Sequence, residues 1–181
     1  MTHFPPTKLL GFLLVLAAPI ELSAQSGPPD LSDPEVAHVA VTANSIDIEL
    51  ARLAQSRAGN RDVKAFANTM ITDHSAVNAQ AAALAGRLGV TPKDNAVSQS
   101  LLAGAATARA PLEKLRGASF DVAYIDREVA YHQAVLEALD GLLIPTTENA
   151  ELKKLLVDVR PAIAAHLAHA KQLRSSLPAA Q

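Results

Sequence analysis

The sequence predicts an all-α fold in which four long helices pack as a bundle, and three observations carry that reading. Hydrophobic residues make up 49% of the 181, yet aromatics only 3%, so the interior must be built from Ala, Leu, Val and Ile, which suit closely packed helices. Apolar residues recur at intervals of three and four along four long stretches. No strand-like alternation, internal repeat or low-complexity tract interrupts them. The length suits one domain, about 150 residues after processing, which is enough to bury a sizeable core.

The chain opens with Lys8, an apolar run from Leu9 to Ile20, and small residues ending at Ala24, the order of an export signal. Such a run spans roughly 18 Å as a helix against about 30 Å of hydrocarbon, so cleavage after Ala24 is expected and a permanent membrane anchor is not. The expected organisation is a signal peptide over 1–24, a flexible mature N-terminus over 25–33, the helical domain over 34–177 and a short tail over 178–181. Export points to the periplasm or, beyond it, the medium.

The first helix starts at Asp33-Pro34-Glu35, read as a capping acid, a proline in the first turn and an acidic residue facing the helix dipole. Its stripe is Val39, Ala43, Ile46, Leu50 and Leu53, and Gly59-Asn60 ends it. Asn60 can cap a second helix over about 61–88, whose stripe is Val63, Ala67, Met70, His74, Val77, Ala81, Leu84 and Leu88. Gly89 to Pro92 stops it. About thirty residues follow before the next strong pattern near Ser119, too many for a bundle turn, and they read as one or two short helices broken near Pro111. The third long helix carries Val122, Ile125, Val129, His132, Leu136, Leu139 and Leu143. After a turn around Pro145, the fourth carries Leu152, Leu156, Val159, Ile163, His166, Ala170, Leu173 and Leu177, with Pro161 bending it before His166.

His74, His132 and His166 thus occupy inward positions on three different helices, where Leu or Val is expected. On the first helix Glu49 flanks the seam. A long link after the second helix implies a crossover that makes the second and third helices parallel, as in ferritin-like bundles. Counting at about 1.5 Å per residue then places Glu49, His74, His132 and His166 in one layer, although counting from the last turn offsets His132 and His166 by roughly 10 Å.

Two readings follow. Three neutral imidazoles and a carboxylate suit zinc, copper or iron. Equally, each histidine can be a hydrogen-bonded core residue, partnered by Glu49, Asp73, Glu128 or a tyrosine hydroxyl. Tyr124, Glu128 and His169 are further polar candidates, His169 because it forms an H-x-x-H pair with His166. Haem held by two of the histidines finds little room in a core of small residues.

Other chemistry leaves no mark. Net charge is −2 with no run of Lys or Arg, so nucleic acid has no electrostatic footprint. The absence of cysteine excludes disulfides, thiolate metal sites and a lipidated cysteine. No nucleophile triad or phosphate-binding glycine loop is present, which favours a non-enzymatic module. Self-association through the Ala-rich surface of the connecting segment is a third reading.

Phe66-Ala67-x-x-Met70-x-x-Asp73-His74, Phe120-Asp121-x-x-Tyr124 followed by His132, and Pro161 with His166 together resemble the exported bacterial family called domain of unknown function 4142. That resemblance covers about 33–177. It implies export, a ferritin-like bundle and an envelope or stress-related setting, with an acid near Glu49. The chain departs from the di-iron pattern, which needs Glu-x-x-His on two helices. Ile71, Val129 and Ile163 stand three residues before the three histidines.

Overall fold

The computed structural model describes residues 29–178, and within them the chain is all-helical. The expected signal peptide, residues 25–28 and residues 179–181 lie outside the described residues. Helix α1 runs Asp33–Arg57, α2 Arg61–Leu88 and α3 Ala96–Leu112. Helix α4 starts as Gly117–Ala138, widens into a π turn over Leu139–Leu143 and closes with one α turn over Ile144–Thr146. Helix α5 is Ala150–Ser176. No described helix is long and apolar enough to cross a membrane.

The helix ends follow local chemistry, with one correction. Ser32, not Asp33, begins α1: its backbone N–H and hydroxyl both donate to the Glu35 carboxylate, at 3.0 and 2.6 Å. Asp33 instead accepts the Glu148 and Asn149 backbone N–H groups, each at 2.9 Å, and so ties the start of α5 to the start of α1. Leu31, expected in a flexible segment, is buried in the core. Asn60, Asn95 and Asn149 each accept two first-turn N–H groups at the starts of α2, α3 and α5. Gly89 ends α2 in the left-handed conformation, with φ of 64°.

Of the one or two helices expected in the connecting segment there is one, 17 residues long. Pro111 falls in its last turn, so the backbone bond it removes is one that would fray anyway. α3 lies across α1 and α4.

Helix α4 begins beside the α1–α2 turn. A Cβ on Gly59 would stand 3.0 Å from the Gly117 Cα, so the close approach needs a glycine there, and Asp121 seals it by accepting the Gly59 and Asn60 N–H groups at 3.0 and 2.9 Å. α2 and α4 therefore start at the same end and run the same way, as the long link implied. α1 packs against α2 and α4, and α5 packs against both as well. The π turn carries α4 through Pro145 to Thr146, further than the sequence pattern suggested. With α4 ending at Thr146 and α5 starting at Ala150, His132 stands 14 residues before one end and His166 16 residues after the other, which removes most of the offset expected between them.

Two apolar clusters fill the interior. One, at the α1–α2 turn, is built on Leu50, Ala54, Phe66, Met70, Phe120, Tyr124 and Leu173. The other, at the opposite end, is built on Val36, Val39, Leu84, Leu139, Leu143, Leu156 and Ile163. Burying each large side chain contributes about 1.5–3 kcal/mol. Between the clusters lies a polar layer.

A candidate metal centre in the buried polar layer

The layer gathers Asn44 and Asp47 from α1, His74 from α2, Glu128 and His132 from α4, and His166 from α5. Asp47 and Glu128 are fully buried, and the three histidines are between 1% and 6% exposed. The imidazole centroids form a triangle with sides of 5.3, 5.5 and 5.8 Å. Asp47 Oδ2 lies 2.7 Å from His74 Nε2 and 3.5 Å from His132 Nε2.

Each histidine is oriented from outside the triangle. His74 Nδ1 is 2.7 Å from Asn44 Oδ1, His132 Nδ1 is 3.0 Å from the Glu128 carbonyl oxygen, and His166 Nε2 is 2.9 Å from Asp73 Oδ2. All three partners are acceptors, so in the neutral rings these nitrogens carry the proton. The other nitrogens, His74 Nε2, His132 Nε2 and His166 Nδ1, are left with lone pairs. They are buried and have no hydrogen-bond partner, and the same holds for both Asp47 oxygens and Glu128 Oε2. His74 Nε2 and Asp47 Oδ2 are close without hydrogen-bond alignment. Two groups can bring one donor atom per residue within 4.8 Å of one another: His74 with His132 and His166, and Asp47 with Glu128 and His132.

The electrostatics of the layer are those of charges removed from water. Burial pushes the Asp47 carboxyl up, but the close His74, His132 and the Arg127 guanidinium more than offset it and hold the group at about 2. Burial, reinforced by the Asp47 charge and opposed by Arg127, drives Glu128 well above the carboxylate range. Burial lowers His132 to about 4 against the pull of Asp47, and it lowers His166 against its bond to Asp73. Neutral His132 and His166 beside an ionised Asp47 are the protonation states a cation needs.

Three sequence expectations change here. Glu49 is not in the layer: its side chain is 65% exposed, 3.8 Å from Arg109 on α3. The inward face of α1 is centred on Ala51 and Ala54, both fully buried, which turns Asp47 inward and Glu49 out. His169 is exposed, its ring edge-on to Phe66 at 5.2 Å, so the H-x-x-H pair does not converge. Tyr124 is buried and stacked on Phe120, but its hydroxyl bonds no histidine. Asp73, half exposed, reaches His166 all the same.

The expected seam of α4 is buried at Val122, Ile125, His132, Leu139 and Leu143, but Val129 is only partly buried and Glu128 beside it is fully so. Asp47 was the residue missed. Its neighbours one turn away, Ala43, Asn44, Leu50 and Ala51, lack charge, whereas Glu49 is followed by Arg52.

No curated protein matches the chain. Two solved structures share its fold. A DUF305 protein from Streptomyces coelicolor is similar with a TM-score of 0.65 and 10% identity, over 78% of this chain and 91% of that one. A DUF305 fragment from Deinococcus radiodurans is similar with a TM-score of 0.68 and 17% identity, over 82% of this chain and 100% of that one. At such identities the likeness is one of fold. The sequence profile described as "Domain of unknown function (DUF4142)" matches residues 19–173. The chain belongs to that family.

Proposed function

We propose that the protein is an exported, ferritin-like four-helix-bundle module that holds one first-row transition-metal ion in its buried layer, through His74 Nε2, His132 Nε2, His166 Nδ1 and Asp47. The observation that carries this reading is the set of outside acceptors. Asn44, the Glu128 carbonyl and Asp73 each take the proton-bearing nitrogen of one histidine, and the three remaining lone pairs are buried without donors. Unpaired buried acceptors cost about 1–3 kcal/mol each, and a shared cation removes that cost. Metal-bound histidines are ordinarily held in this way by their second nitrogen.

Three imidazoles and a carboxylate, without thiolate, suit zinc, copper(II) or iron(II). A site closed by four protein donors supports holding an ion rather than opening it to a substrate. Export to the periplasm rests on the leader read in the sequence, and one of the two solved neighbours is itself provisionally classed as secreted.

The 2.7 Å separation of His74 Nε2 and Asp47 Oδ2 favours a second reading, an imidazolium paired with a carboxylate in a metal-free polar core. Metal content separates the two. Mature protein, stripped with chelator and dialysed in parallel against zinc(II), copper(II) and iron(II), is expected to retain one equivalent of at least one of them. It should also melt at higher temperature, by about 2.7 kcal/mol of added stability when free ion stands at a hundred times Kd. His74→Leu and His166→Leu should lose both effects. Failure of all three ions to be retained would leave the metal-free core as the correct account.

A further inference from the structure

The layer contains more ligands than one ion needs. Beyond the three imidazoles it holds two fully buried carboxylates, and Asp47, Glu128 and His132 form a second donor group that shares two residues with the proposed site. Glu128 Oε2 and both oxygens of Asp47 lack hydrogen-bond partners.

A cation already sits beside this second group. Arg127 Nη1 is 2.8 Å from Glu128 Oε1 and 3.8 Å from Asp47 Oδ1. The guanidinium is held from its other side, with its central carbon 3.9 Å from the centroid of the Tyr131 ring. Tyr131 is fixed in turn, its hydroxyl donating to the Ala43 carbonyl of α1 at 2.8 Å. Arg127 and Tyr131 also line an open groove of about 660 Å³ between α3 and α4, which is otherwise walled by small and aliphatic residues such as Ala105, Ala130 and Ala134. The Arg127 side chain is 12% exposed: it lines that groove and reaches the Glu128 and Asp47 carboxyl groups from it.

We propose that Arg127 is the residue that keeps the centre mononuclear: its guanidinium, clamped by Tyr131, occupies the carboxylate side of the layer as a built-in cation and excludes a second metal ion from Asp47, Glu128 and His132. This inference rests on the metal-binding reading above. Two cations a few ångströms apart repel strongly where water is excluded, so a second ion can enter only if the fixed positive charge leaves.

The test is the zinc content of mature wild-type protein, Arg127→Gln and Arg127→Lys after equilibrium dialysis against zinc(II), with helix content and melting followed in parallel. Wild type and Arg127→Lys are expected to hold one zinc, and Arg127→Gln two. A glutamine variant that stays at one, a lysine variant that takes two, or a wild type already at two would each overturn the proposal. If wild type holds none, the metal-binding reading falls by itself. In that event one zinc in Arg127→Gln still supports the arginine as an excluding cation, and none in either overturns both. Should Arg127→Gln fail to fold, cadmium-113 resonance of the wild type decides: excess cadmium should give one bound signal, and a second bound signal would contradict the exclusion.

Discussion

Asp121 and Asp47 are both carboxylates buried inside the same bundle, and their surroundings differ in kind. Asp121 accepts two backbone N–H groups from Gly59 and Asn60 and stands where α4 meets the α1–α2 turn. Asp47 accepts no hydrogen bond and faces the lone pairs of His74 and His132. One acid is a closed structural tie, since every donor it needs is main chain. The other has His74, His132 and Arg127 close by but no aligned donor. The difference teaches that burial of a charge does not by itself mark a functional site; what marks it is the absence of donors around it.

The widest split expected between the two is in response to metal. Asp47→Asn should lower affinity for the retained ion at least about a hundredfold and leave the metal-free protein nearly as stable, because it removes a ligand and not a tie. Asp121→Ala should do the reverse, costing about 3 kcal/mol by stranding two buried donors while the metal-dependent rise in melting temperature persists. Chemical denaturation with and without zinc reads both. Equal metal dependence in the two variants would erase the distinction.

Acidity should sharpen the comparison next. His132 is held at about 4 against an ordinary 6.5 and His166 is lowered too, so these rings bind fewer protons folded than unfolded in that interval, while Glu128, held well above its ordinary range, binds one more and opposes them. Stability should therefore fall as pH drops from about 6.5 towards 4, by a few kcal/mol at most, while Asp47, held at about 2, stays ionised throughout. Urea midpoints of the metal-free protein across that range test this, and His132→Leu should flatten the slope. A His132→Leu variant with the same slope as wild type would contradict the depressed imidazole.

A smaller effect is expected from the partners outside the triangle. Asp73→Asn, which weakens the hold on His166 Nε2 without touching the donor atoms, should reduce metal affinity about tenfold to a hundredfold. The least is expected from Glu49→Gln. At 65% exposure it should leave affinity and stability within about 0.5 kcal/mol of wild type, as measured by calorimetry and melting.

The helices and three of the layer's ligand candidates were legible because both depend on local pattern. Caps at Asn60 and Gly89, stripes stepping by three and four, and histidines standing in those stripes are short-range features. Asp47 was not legible for a reason specific to this composition. Large aliphatic residues make the visible stripe of each helix, whereas the fully buried positions of α1 include Ala51 and Ala54, the first of them one turn after Asp47. Small residues mark where helices approach most closely, and following them rotates α1 enough to exchange Glu49 for Asp47. On α4 the visible stripe likewise takes in Val129, which is only partly buried, beside the fully buried Glu128. The height of His132 depended on where α4 ends, and its continuation through Pro145 to Thr146 is announced by no residue pattern.

X-ray absorption at the zinc edge of the mature, zinc-loaded protein tests the central claim most directly. Three imidazoles and one carboxylate oxygen are expected, all at about 2.0–2.2 Å. Zinc bound without imidazole scattering, or protein that carries no zinc to the measurement at all, would contradict a metal centre at His74, His132, His166 and Asp47.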